Sequence, residues 1–278
     1  MQYQARSALV TGASSGIGEA FARGLAARGM NLLLTALPED ESLLRAIAME
    51  LSEQHGVRTE AVAIDLAEHD AGRRLQAAGD ALGFEPDLLV NNAGIGTRGV
   101  FAELPLDLQL DMIRVNIEAL VALTGLYVPR MVARRDGAVI NVASTAAFAP
   151  IPYFAVYAAS KAFVQRFGEA LWAENHRHGV RITTVCPGPV FTRFQGRFGT
   201  KAPASRYALF FWRILHVILP RPLTVEMIVA DTLQALEQDQ PTVVRRVPGA
   251  GPVYHSIALA MNALPQRLRL LAIERINR

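Results

Sequence analysis

Seven short apolar runs alternate with longer segments of helical periodicity, and this alternation constrains the fold more than any other feature of the chain. The runs occupy 7–12, 30–36, 59–66, 87–94, 137–144, 181–188 and 241–247. Several are nearly continuous in Val, Ile, Leu and Ala, which is typical of strands covered on both faces. Most intervening segments are long enough for the crossover helix that parallel strands need. The sequence therefore predicts an α/β fold with a doubly wound parallel sheet of about seven strands flanked by helices.

No linker, repeat or low-complexity tract interrupts the alternation, so we predict a single domain over residues 1–278. With 51% hydrophobic and 19% charged residues, the chain can bury a substantial core. Two segments stand apart. Residues 189–224 form an aromatic-rich insertion, and residues 252–278 form an amphipathic pattern typical of a C-terminal helix.

Charge and cysteine content disfavour several classes of protein. The net charge is +3, and no dense Lys/Arg run interleaved with aromatics occurs, so we expect no nucleic-acid partner. Cys186 is the only cysteine, which excludes an intrachain disulfide and fits a reducing compartment. The first residues contain no long apolar run before their glycines, and no uninterrupted apolar run reaches the roughly 20 residues of a membrane span. We therefore expect a cytoplasmic protein.

A glycine-rich turn, TGASSGIG at 11–18, follows the first apolar run and opens a helical segment. Gly12 allows a tight turn, Gly16 allows a ligand to approach the backbone, and Gly18 allows close packing of helix and strand. The free N–H groups and positive dipole of a helix N-terminus favour a pyrophosphate. Glycines alone also fit an ordinary strand-to-helix turn, but the position between the first strand and first helix favours dinucleotide binding.

The spacing TGxxxGxG and four further motifs, in order, resemble the short-chain dehydrogenase/reductase family over roughly residues 5 to 247. The further motifs are NNAG at 91–94 with Asn116 in RVNIEA, Ser144 in INVAS, Tyr157 and Lys161 in YAASK, and PGPVFT at 187–192. The resemblance is to the single-domain branch of the family. It implies a Rossmann-type domain and an NAD(P)-dependent oxidoreductase that interconverts a ketone and a secondary alcohol.

Lys161 is one of only two lysines in the chain, and it stands four residues after Tyr157. Positions i and i+4 share a helix face, so the ammonium can lie beside the phenol. A nearby cation favours the phenolate and is expected to lower the tyrosine pKa toward the working range of an acid/base catalyst. An arginine is planar, larger and differently directed. The pair alone also fits a surface helix, where such spacing is common.

The resemblance assigns roles to four catalytic residues. It implies that Tyr157 is the acid/base, that Lys161 tunes it and binds the nicotinamide ribose, and that Ser144 stabilises charge on the substrate oxygen. Asn116 would hold a water that links Lys161 to solvent. From local sequence alone, Ser144 could instead cap a turn, and Asn116 could be a locally satisfied helix residue.

The resemblance also assigns cofactor-binding residues. Asp65 and Leu66 would contact adenine, although Asp65 could equally be a helix N-cap. Asn92, Ala93 and Gly94 would lie along the adenosine ribose. Pro187, Gly188, Val190 and Thr192 would border the nicotinamide, although Pro-Gly alone fits a strand-ending turn. The whole predicted set comprises Gly12, Ser14, Ser15, Gly16, Ile17, Gly18, Asp65, Leu66, Asn92, Ala93, Gly94, Tyr157, Lys161, Pro187, Gly188, Val190 and Thr192.

The cofactor preference depends on the end of the second run, TALPED at 35–40. An acid there binds the ribose hydroxyls of NAD, whereas a basic residue binds the 2′-phosphate of NADP. Ala36 and Leu37 are neither, and Ser15 occupies the other basic position that the family uses. The missing acid favours NADP(H) slightly over NAD(H), while Glu39 and Asp40 weaken that preference. No metal is expected.

The resemblance implies that the insertion at 189–224 is a substrate loop, and aromatic residues dominate the substrate side that it predicts. Phe148, Ile151 and Phe154 lie between Ser144 and Tyr157, and Phe194 begins the aromatic insertion. Any one of them could be a core residue. Together with Ser144 they indicate an apolar substrate, such as a hydrophobic ketone, a steroid-like ring or an acyl chain.

The helix after Tyr157 is apolar around much of its circumference, which indicates burial on more than one side and predicts a homodimer or homotetramer. Met261, Leu264, Leu268 and Leu271 form an apolar stripe near the C-terminus. Core packing or an oligomer contact is favoured there over a membrane surface. Two other functions stay open: a nucleotide-binding sensor on the same fold, and a sugar-nucleotide epimerase or dehydratase, whose C-terminal substrate domain is usually larger.

Overall fold

The computed structural model describes residues 6–190 and 223–245 together with positions 270, 271 and 274. The strands, numbered in chain order, are β1 Ser7–Thr11, β2 Asn31–Ala36, β3 Thr59–Ala63, β4 Leu88–Asn91, β5 Gly137–Val142, β6 Val180–Pro187 and β7 Thr242–Arg245. The helices are α1 Gly16–Ala26, α2 Glu41–His55, α3 Ala71–Ala81, α4 Leu106–Ile113, α5 Leu120–Arg134, α6 Ala155–Asn175 and α7 Val225–Glu237. A π-helical turn, Arg114–Ala119, joins α4 to α5.

The strands form one sheet in the order β3-β2-β1-β4-β5-β6-β7. Every neighbouring pair is parallel, with Leu9 of β1 in register with Leu33 of β2 and Leu89 of β4. The predicted doubly wound parallel sheet is confirmed. The strand order reverses between β1 and β4, and ligands of open α/β sheets bind in the crevice at such a point.

Both faces of the central strands are buried, which explains why the apolar runs are continuous. In β1, Ala8 and Val10 belong to a core that contains Phe21 of α1, whereas Leu9 belongs to a second core on the opposite face. Helices α2 and α7 contribute to the first core, and α3 and α5 contribute to the second. Successive side chains of such a strand point into two apolar layers in turn, and neither face of the strand is polar. The two-residue alternation of apolar and polar residues is therefore absent from the sequence.

Several predicted strands end before their apolar runs do, and β3 and β4 end three residues early. β3 was expected to reach residue 66 and ends at Ala63, where the Asp65 carboxylate accepts a hydrogen bond of 2.8 Å from the Ala67 amide. β4 was expected to reach residue 94 and ends at Asn91, where Asn92 bonds back to β1. Asn and Asp side chains that bond to nearby backbone compete with the strand ladder, and here they end it.

The continuous helical segment Leu106–Arg134 is 29 residues long and is apolar enough, by length and composition, to cross a membrane. Core helices of globular proteins pass the same test. Leu123, Tyr127 and Met131 of this segment pack into the second core against the sheet. That packing favours a core helix.

Most of the predicted substrate insertion (189–224) and of the predicted C-terminal helix (252–278) lies outside the described residues. Positions 270, 271 and 274 are helical, as expected. The roles of both segments, and the single domain over the whole chain, stay predictions.

Candidate active site

The glycine-rich turn takes the backbone conformation that its glycines permit. Gly12 and Gly16 have φ angles of 66° and 61°, values that side-chain-bearing residues rarely adopt. A Cβ added to Gly18 would lie 2.1 Å from the Gly12 carbonyl oxygen, so only glycine fits where α1 begins beside β1. The three glycines therefore form a close backbone cradle at the carboxyl end of β1.

Helix α1 begins in this cradle with its N-terminus free of side-chain capping. Ser15 is the N-cap residue, and its side chain makes no cap hydrogen bond. Ile17 packs against the first core, which anchors the first turn. Uncapped N–H groups and the positive end of the helix dipole suit a pyrophosphate. The cradle thus fits a dinucleotide.

Thr11, which the sequence analysis did not select, ties the cradle to β4. Its Oγ1 accepts hydrogen bonds of 3.0 Å and 2.9 Å from the amides of Asn92 and Ala93. In return, the Asn92 side-chain amide donates to the carbonyls of Thr11 and Gly12 at 2.8 Å and 3.2 Å. The Asn92 side chain therefore supports the cradle, and the predicted contact of Asn92, Ala93 and Gly94 with ribose stays a prediction. The sequence signal that could have identified Thr11 is its position directly before Gly12 of the glycine-rich turn.

Asp40 reaches the cradle from the start of α2. Ser14 Oγ donates a hydrogen bond of 2.8 Å to Asp40 Oδ2. The Asp65 carboxylate accepts from the Ala67 amide, which makes an Asx turn. Because α3 begins only at Ala71, Asp65 is not the helix N-cap that the local sequence also allowed. Leu66 is buried in the second core. Ala36 and Leu37 supply no acid to the cradle. Asp40, three residues after Leu37, brings a carboxylate to it by bonding Ser14.

Ser144 follows β5 and serves two local purposes. Its Oγ accepts a hydrogen bond of 3.1 Å from the Ala146 amide, which caps a 3₁₀ turn over Thr145–Phe148. The same side chain also hydrogen-bonds the phenol of Tyr157. The turn-capping and substrate-facing interpretations of Ser144 are therefore compatible, because a hydroxyl oxygen has two lone pairs and one proton.

Lys161 is buried, with 5% of its surface exposed, on the face of α6 that meets β5. Its Nζ donates a hydrogen bond of 2.9 Å to the Val142 carbonyl and lies 6.0 Å from the centroid of the Tyr157 ring. Burial lowers the pKa of the Lys161 ammonium to about 8, opposed by the neighbouring Cys186. The i, i+4 spacing therefore places the ammonium near the phenol, as predicted.

The pKa of Tyr157 moves in the direction opposite to our expectation. Burial raises the pKa of the phenol, and the hydrogen bond with Ser144 opposes that rise. We expected the Lys161 cation to dominate, but the ammonium points to Val142 and is itself desolvated, so burial prevails. A phenol that stays protonated at neutral pH is suited to donate a proton.

Asn116 occupies the π-helical turn and is 1% exposed. Its Oδ1 accepts from the Ile95 amide at 2.9 Å, and its Nδ2 donates to the Ile95 carbonyl at 2.9 Å and to Ser160 Oγ at 3.0 Å. A Cβ added to Gly94 would lie 3.2 Å from Asn116 Oδ1 and 3.3 Å from Lys161 Nζ. Asn116 is thus locally satisfied and also borders Lys161, while the water that it would hold stays a prediction.

One of the predicted substrate residues, Phe154, lies beside the phenol. Phe154 has its ring centroid 6.3 Å from that of Tyr157, at an interplanar angle of 60°. Phe148 is 51% exposed at the end of the 3₁₀ turn, and Ile151 is partly exposed. Pro187 ends β6 and is followed by Gly188 and Val190. Thr192 and Phe194 lie outside the described residues.

Within the described ranges, no group of three or more His, Cys, Asp and Glu side chains could hold a metal ion. The expectation that the protein needs no metal stays a prediction.

Comparisons with known proteins point to one family. The short chain dehydrogenase family pattern matches residues 6–202. The very-long-chain 3-oxoacyl-CoA reductase of Anas platyrhynchos is 38% identical over 191 residues, which cover 67% of this chain and 60% of that protein. The human protein of the same name is 34% identical, with the same shares. Hydroxysteroid dehydrogenase-like protein 1 of Gallus gallus is 35% identical, covering 68% of this chain and 56% of that protein. The matches thus span about three fifths of these relatives' length.

Two solved structures resemble most of the chain. A short-chain dehydrogenase from Sphingobium yanoikuyae in complex with NADPH has a TM-score of 0.75 and 27% identity, covering 94% of this chain and 96% of that one. L-sorbose reductase from Gluconobacter frateurii, complexed with NADPH and L-sorbose, has a TM-score of 0.76 and 26% identity, covering 90% and 98%. With the cradle, the Ser144–Tyr157–Lys161 cluster and the family pattern in agreement, this chain belongs to the short-chain dehydrogenase family.

Proposed function

We propose that this protein is an NAD(P)H-dependent reductase of hydrophobic 3-oxoacyl thioesters, which it converts to the 3-hydroxy compounds. The observation that carries the proposal is the assembly of Ser144, Tyr157 and Lys161 at the carboxyl edge of the sheet, beside the glycine cradle. Relatives at 34–38% identity are named very-long-chain 3-oxoacyl-CoA reductases, which favours an acyl-chain carbonyl over the steroid and simple ketone alternatives. The Phe154 ring beside the phenol suits such a chain, and the exposed Phe148 and partly exposed Ile151 add apolar surface between Ser144 and Phe154.

The residues divide the chemistry between them. A bound reduced nicotinamide would supply the hydride to the carbonyl carbon. Ser144 Oγ donates a hydrogen bond to the carbonyl oxygen and stabilises the negative charge that develops there. Tyr157 then transfers its phenolic proton to that oxygen, which completes the alcohol and leaves a phenolate. A raised phenol pKa keeps this proton in place before the reaction at neutral pH.

Lys161 stabilises the phenolate that the proton transfer creates. Its ammonium lies 6.0 Å from the ring centroid and is excluded from water, so its field acts at low dielectric. The pKa of about 8 leaves the ammonium charged at neutral pH. The compact head group also has two protons beyond the one given to Val142, and these can bind the ribose hydroxyls of the dinucleotide.

NADP(H) is the proposed cofactor, with a slight preference over NAD(H). Ala36 and Leu37 supply no acid at the usual NAD-selecting position, and the two solved relatives described above hold NADPH. The Asp40 carboxylate beside Ser14 limits this preference, because it repels a 2′-phosphate brought to the same turn.

Turnover of a defined panel of substrates tests the proposal. Purified protein with NADPH is given 3-oxohexadecanoyl-CoA, acetoacetyl-CoA and a steroid ketone, and loss of reduced-nicotinamide absorbance is followed. We expect the long 3-oxoacyl-CoA to give the highest kcat/KM, and Tyr157→Phe to abolish turnover of all three while it still binds NADPH. Preference for the steroid would overturn the substrate assignment.

The alternative function, a nucleotide-binding sensor, has the same cradle but needs no proton donor. Sensors on this fold often lose a catalytic residue, whereas Asn116, Ser144, Tyr157 and Lys161 are all present. The sensor would be favoured if the parent protein binds NADPH tightly but turns over no panel member. In that case Tyr157→Phe would leave the NADPH affinity unchanged.

We also propose a homodimer or homotetramer and a cytoplasmic location. Exposed apolar side chains on α4, α5 and α6 support an oligomer contact, namely Leu110, Ile113, Val121 and Phe163. Light scattering at micromolar concentration tests this, and a monomer would contradict it.

A further inference from the structure

The Ser160 hydroxyl lies between two residues of the candidate site. Its Oγ accepts a hydrogen bond of 3.0 Å from Asn116 Nδ2 and donates one of 2.8 Å to the backbone carbonyl of Tyr157. Ser160 and Asn116 are each 1% exposed, so neither exchanges these partners for bulk water. A hydroxyl has one proton. Because that proton goes to the Tyr157 carbonyl, the Ser160 oxygen can only accept from Asn116.

Three hydrogen bonds, this one and two with Ile95, fix the orientation of the Asn116 amide. Both of its N–H protons are committed, one to the Ile95 carbonyl and one to Ser160, and its Oδ1 accepts from the Ile95 amide. A carbonyl oxygen has a second lone pair. The position of a Cβ on Gly94 would lie 3.2 Å from Oδ1 and 3.3 Å from Lys161 Nζ, so both atoms border the same small space. The second lone pair of Oδ1 therefore belongs to an atom that borders the same space as the ammonium.

We propose that Ser160 is a positioning residue that holds the Asn116 amide with its oxygen toward Lys161 and thereby stabilises the charged form of that lysine. The inference rests on the proposed function, in which the ammonium stabilises the Tyr157 phenolate. Without the hydroxyl, one buried amide proton has no acceptor. The amide is then held by Ile95 alone, and a tilt that brings the unpaired N–H to a new acceptor moves Oδ1 away from the ammonium.

The other titratable groups around Lys161 are few in the described part of the chain. Tyr157 precedes it by one turn on α6, and Cys186 faces it from β6. Glu169, two turns later on α6, acts on Cys186 and accepts hydrogen bonds from Gln165 and Thr242. The Ser160 hydroxyl bonds Asn116 and the Tyr157 backbone carbonyl, and we infer that its removal acts on the ammonium through Asn116.

The small number of lysines allows a direct test. Protein labelled at lysine Cε with a heavy carbon isotope gives two NMR signals, from Lys161 and Lys201, and Lys201→Arg identifies which is which. We expect Ser160→Ala to lower the Lys161 pKa by about half a pH unit or more, because the charged form loses an acceptor. Ser160→Thr, which keeps the hydroxyl, should restore the parent pKa. An unchanged pKa in Ser160→Ala would overturn the proposal.

A kinetic arm uses 3-oxohexadecanoyl-CoA with NADPH. Ser160→Ala should lower kcat by about tenfold and change the KM for NADPH by less than about twofold. If no substrate is reduced, the proposed function fails, but the NMR titration still decides the role of Ser160.

The matched control removes one buried helix hydroxyl elsewhere. Thr232 on α7 is buried, and its Oγ1 donates 2.7 Å to the Ile228 carbonyl, much as Ser160 donates to Tyr157. Thr232→Val should lower the Tm about as much as Ser160→Ala does and leave the Lys161 pKa unchanged. Equal pKa shifts in both variants would show a general structural effect and contradict the proposal. Should Ser160→Ala not fold, Ser160→Cys takes its place, since a thiol fills the volume but accepts weakly.

Discussion

The cofactor cradle and the catalytic cluster lie side by side at the same edge of the sheet, yet different forces build them. The cradle is backbone: two glycines with positive φ, and a third whose missing side chain lets α1 approach β1. The catalytic cluster is side chain: a buried ammonium, a buried amide and a half-buried phenol, held by individual hydrogen bonds.

The difference teaches which substitutions each region tolerates. In the cradle, shape is decisive, and adding a methyl group causes damage even though no charge changes. In the cluster, charge and proton position are decisive, and a side chain of similar size but different chemistry fails. The predictions below separate the two regions.

The largest effect is expected for Lys161. Lys161→Met should lower kcat/KM about 10²–10³-fold, because the phenolate formed in the reaction loses its cation. Lys161→Arg should recover little of this loss, since a planar guanidinium cannot bond Val142 in the same space. Steady-state kinetics measure both, with Arg45→Met as a control that removes an exposed cation paired with Glu41 on α2. An active Lys161→Arg enzyme would show that charge alone suffices.

Gly18→Ala tests the cradle. The new methyl carbon would lie 2.1 Å from the Gly12 carbonyl oxygen, so the backbone must shift. We expect the free energy of unfolding to fall by about 1–3 kcal/mol and NADPH binding to weaken. Chemical denaturation and cofactor titration measure these quantities. Gly125→Ala on α5 is the matched control, because a Cβ there meets nothing within 4 Å, and it should stabilise the fold by about 0.5–1 kcal/mol. Normal cofactor affinity in Gly18→Ala would contradict the steric account.

The pH dependence sharpens the description of the cluster. The pKa of Lys161 is lowered to about 8, so its charge is lost as the pH rises through that value, while the raised pKa of Tyr157 keeps the phenol protonated there. Carbonyl reduction should therefore decline above a pH of about 8, by up to about tenfold per pH unit. A pH–rate profile measures the midpoint. In Lys161→Arg, which stays charged, this midpoint should disappear; its persistence would assign the decline to another group.

The smallest effect is expected at Asp40, a charged side chain that bonds the cradle through Ser14. Asp40→Asn keeps an acceptor for Ser14 but removes the negative charge, so affinity for NADPH should rise about threefold relative to that for NADH. Parallel titrations with the two dinucleotides measure the ratio. Glu39→Gln, which neutralises the exposed neighbouring acid, is the control and should change the ratio less. An equal change in both variants would mean that the total negative charge of this segment, and not the position of the Asp40 carboxylate beside Ser14, sets the cofactor preference.

Sequence motifs identified most residues of the candidate site. The family motifs lie at the carboxyl ends of strands, and in a parallel sheet these ends share one edge. Gly12, Gly16 and Gly18 were predicted with their physical reasons. Thr11 was missed, since a buried threonine at a strand end looks like any β-branched strand residue. The pKa of Tyr157 was predicted in the wrong direction, since the balance of burial against a cation depends on distances that spacing does not contain.

By itself, the sequence determined the parallel sheet, the glycine cradle and the i, i+4 placement of Tyr157 and Lys161. These follow from local rules: hydropathy over a few residues, the conformations open to glycine, and the pitch of a helix. Only the tertiary structure decided that Asp40 reaches Ser14, that Asn92 turns back to β1 and that Ser160 holds Asn116. Each of these contacts joins residues distant in the chain, and the direction of a hydrogen bond between them depends on how whole elements pack.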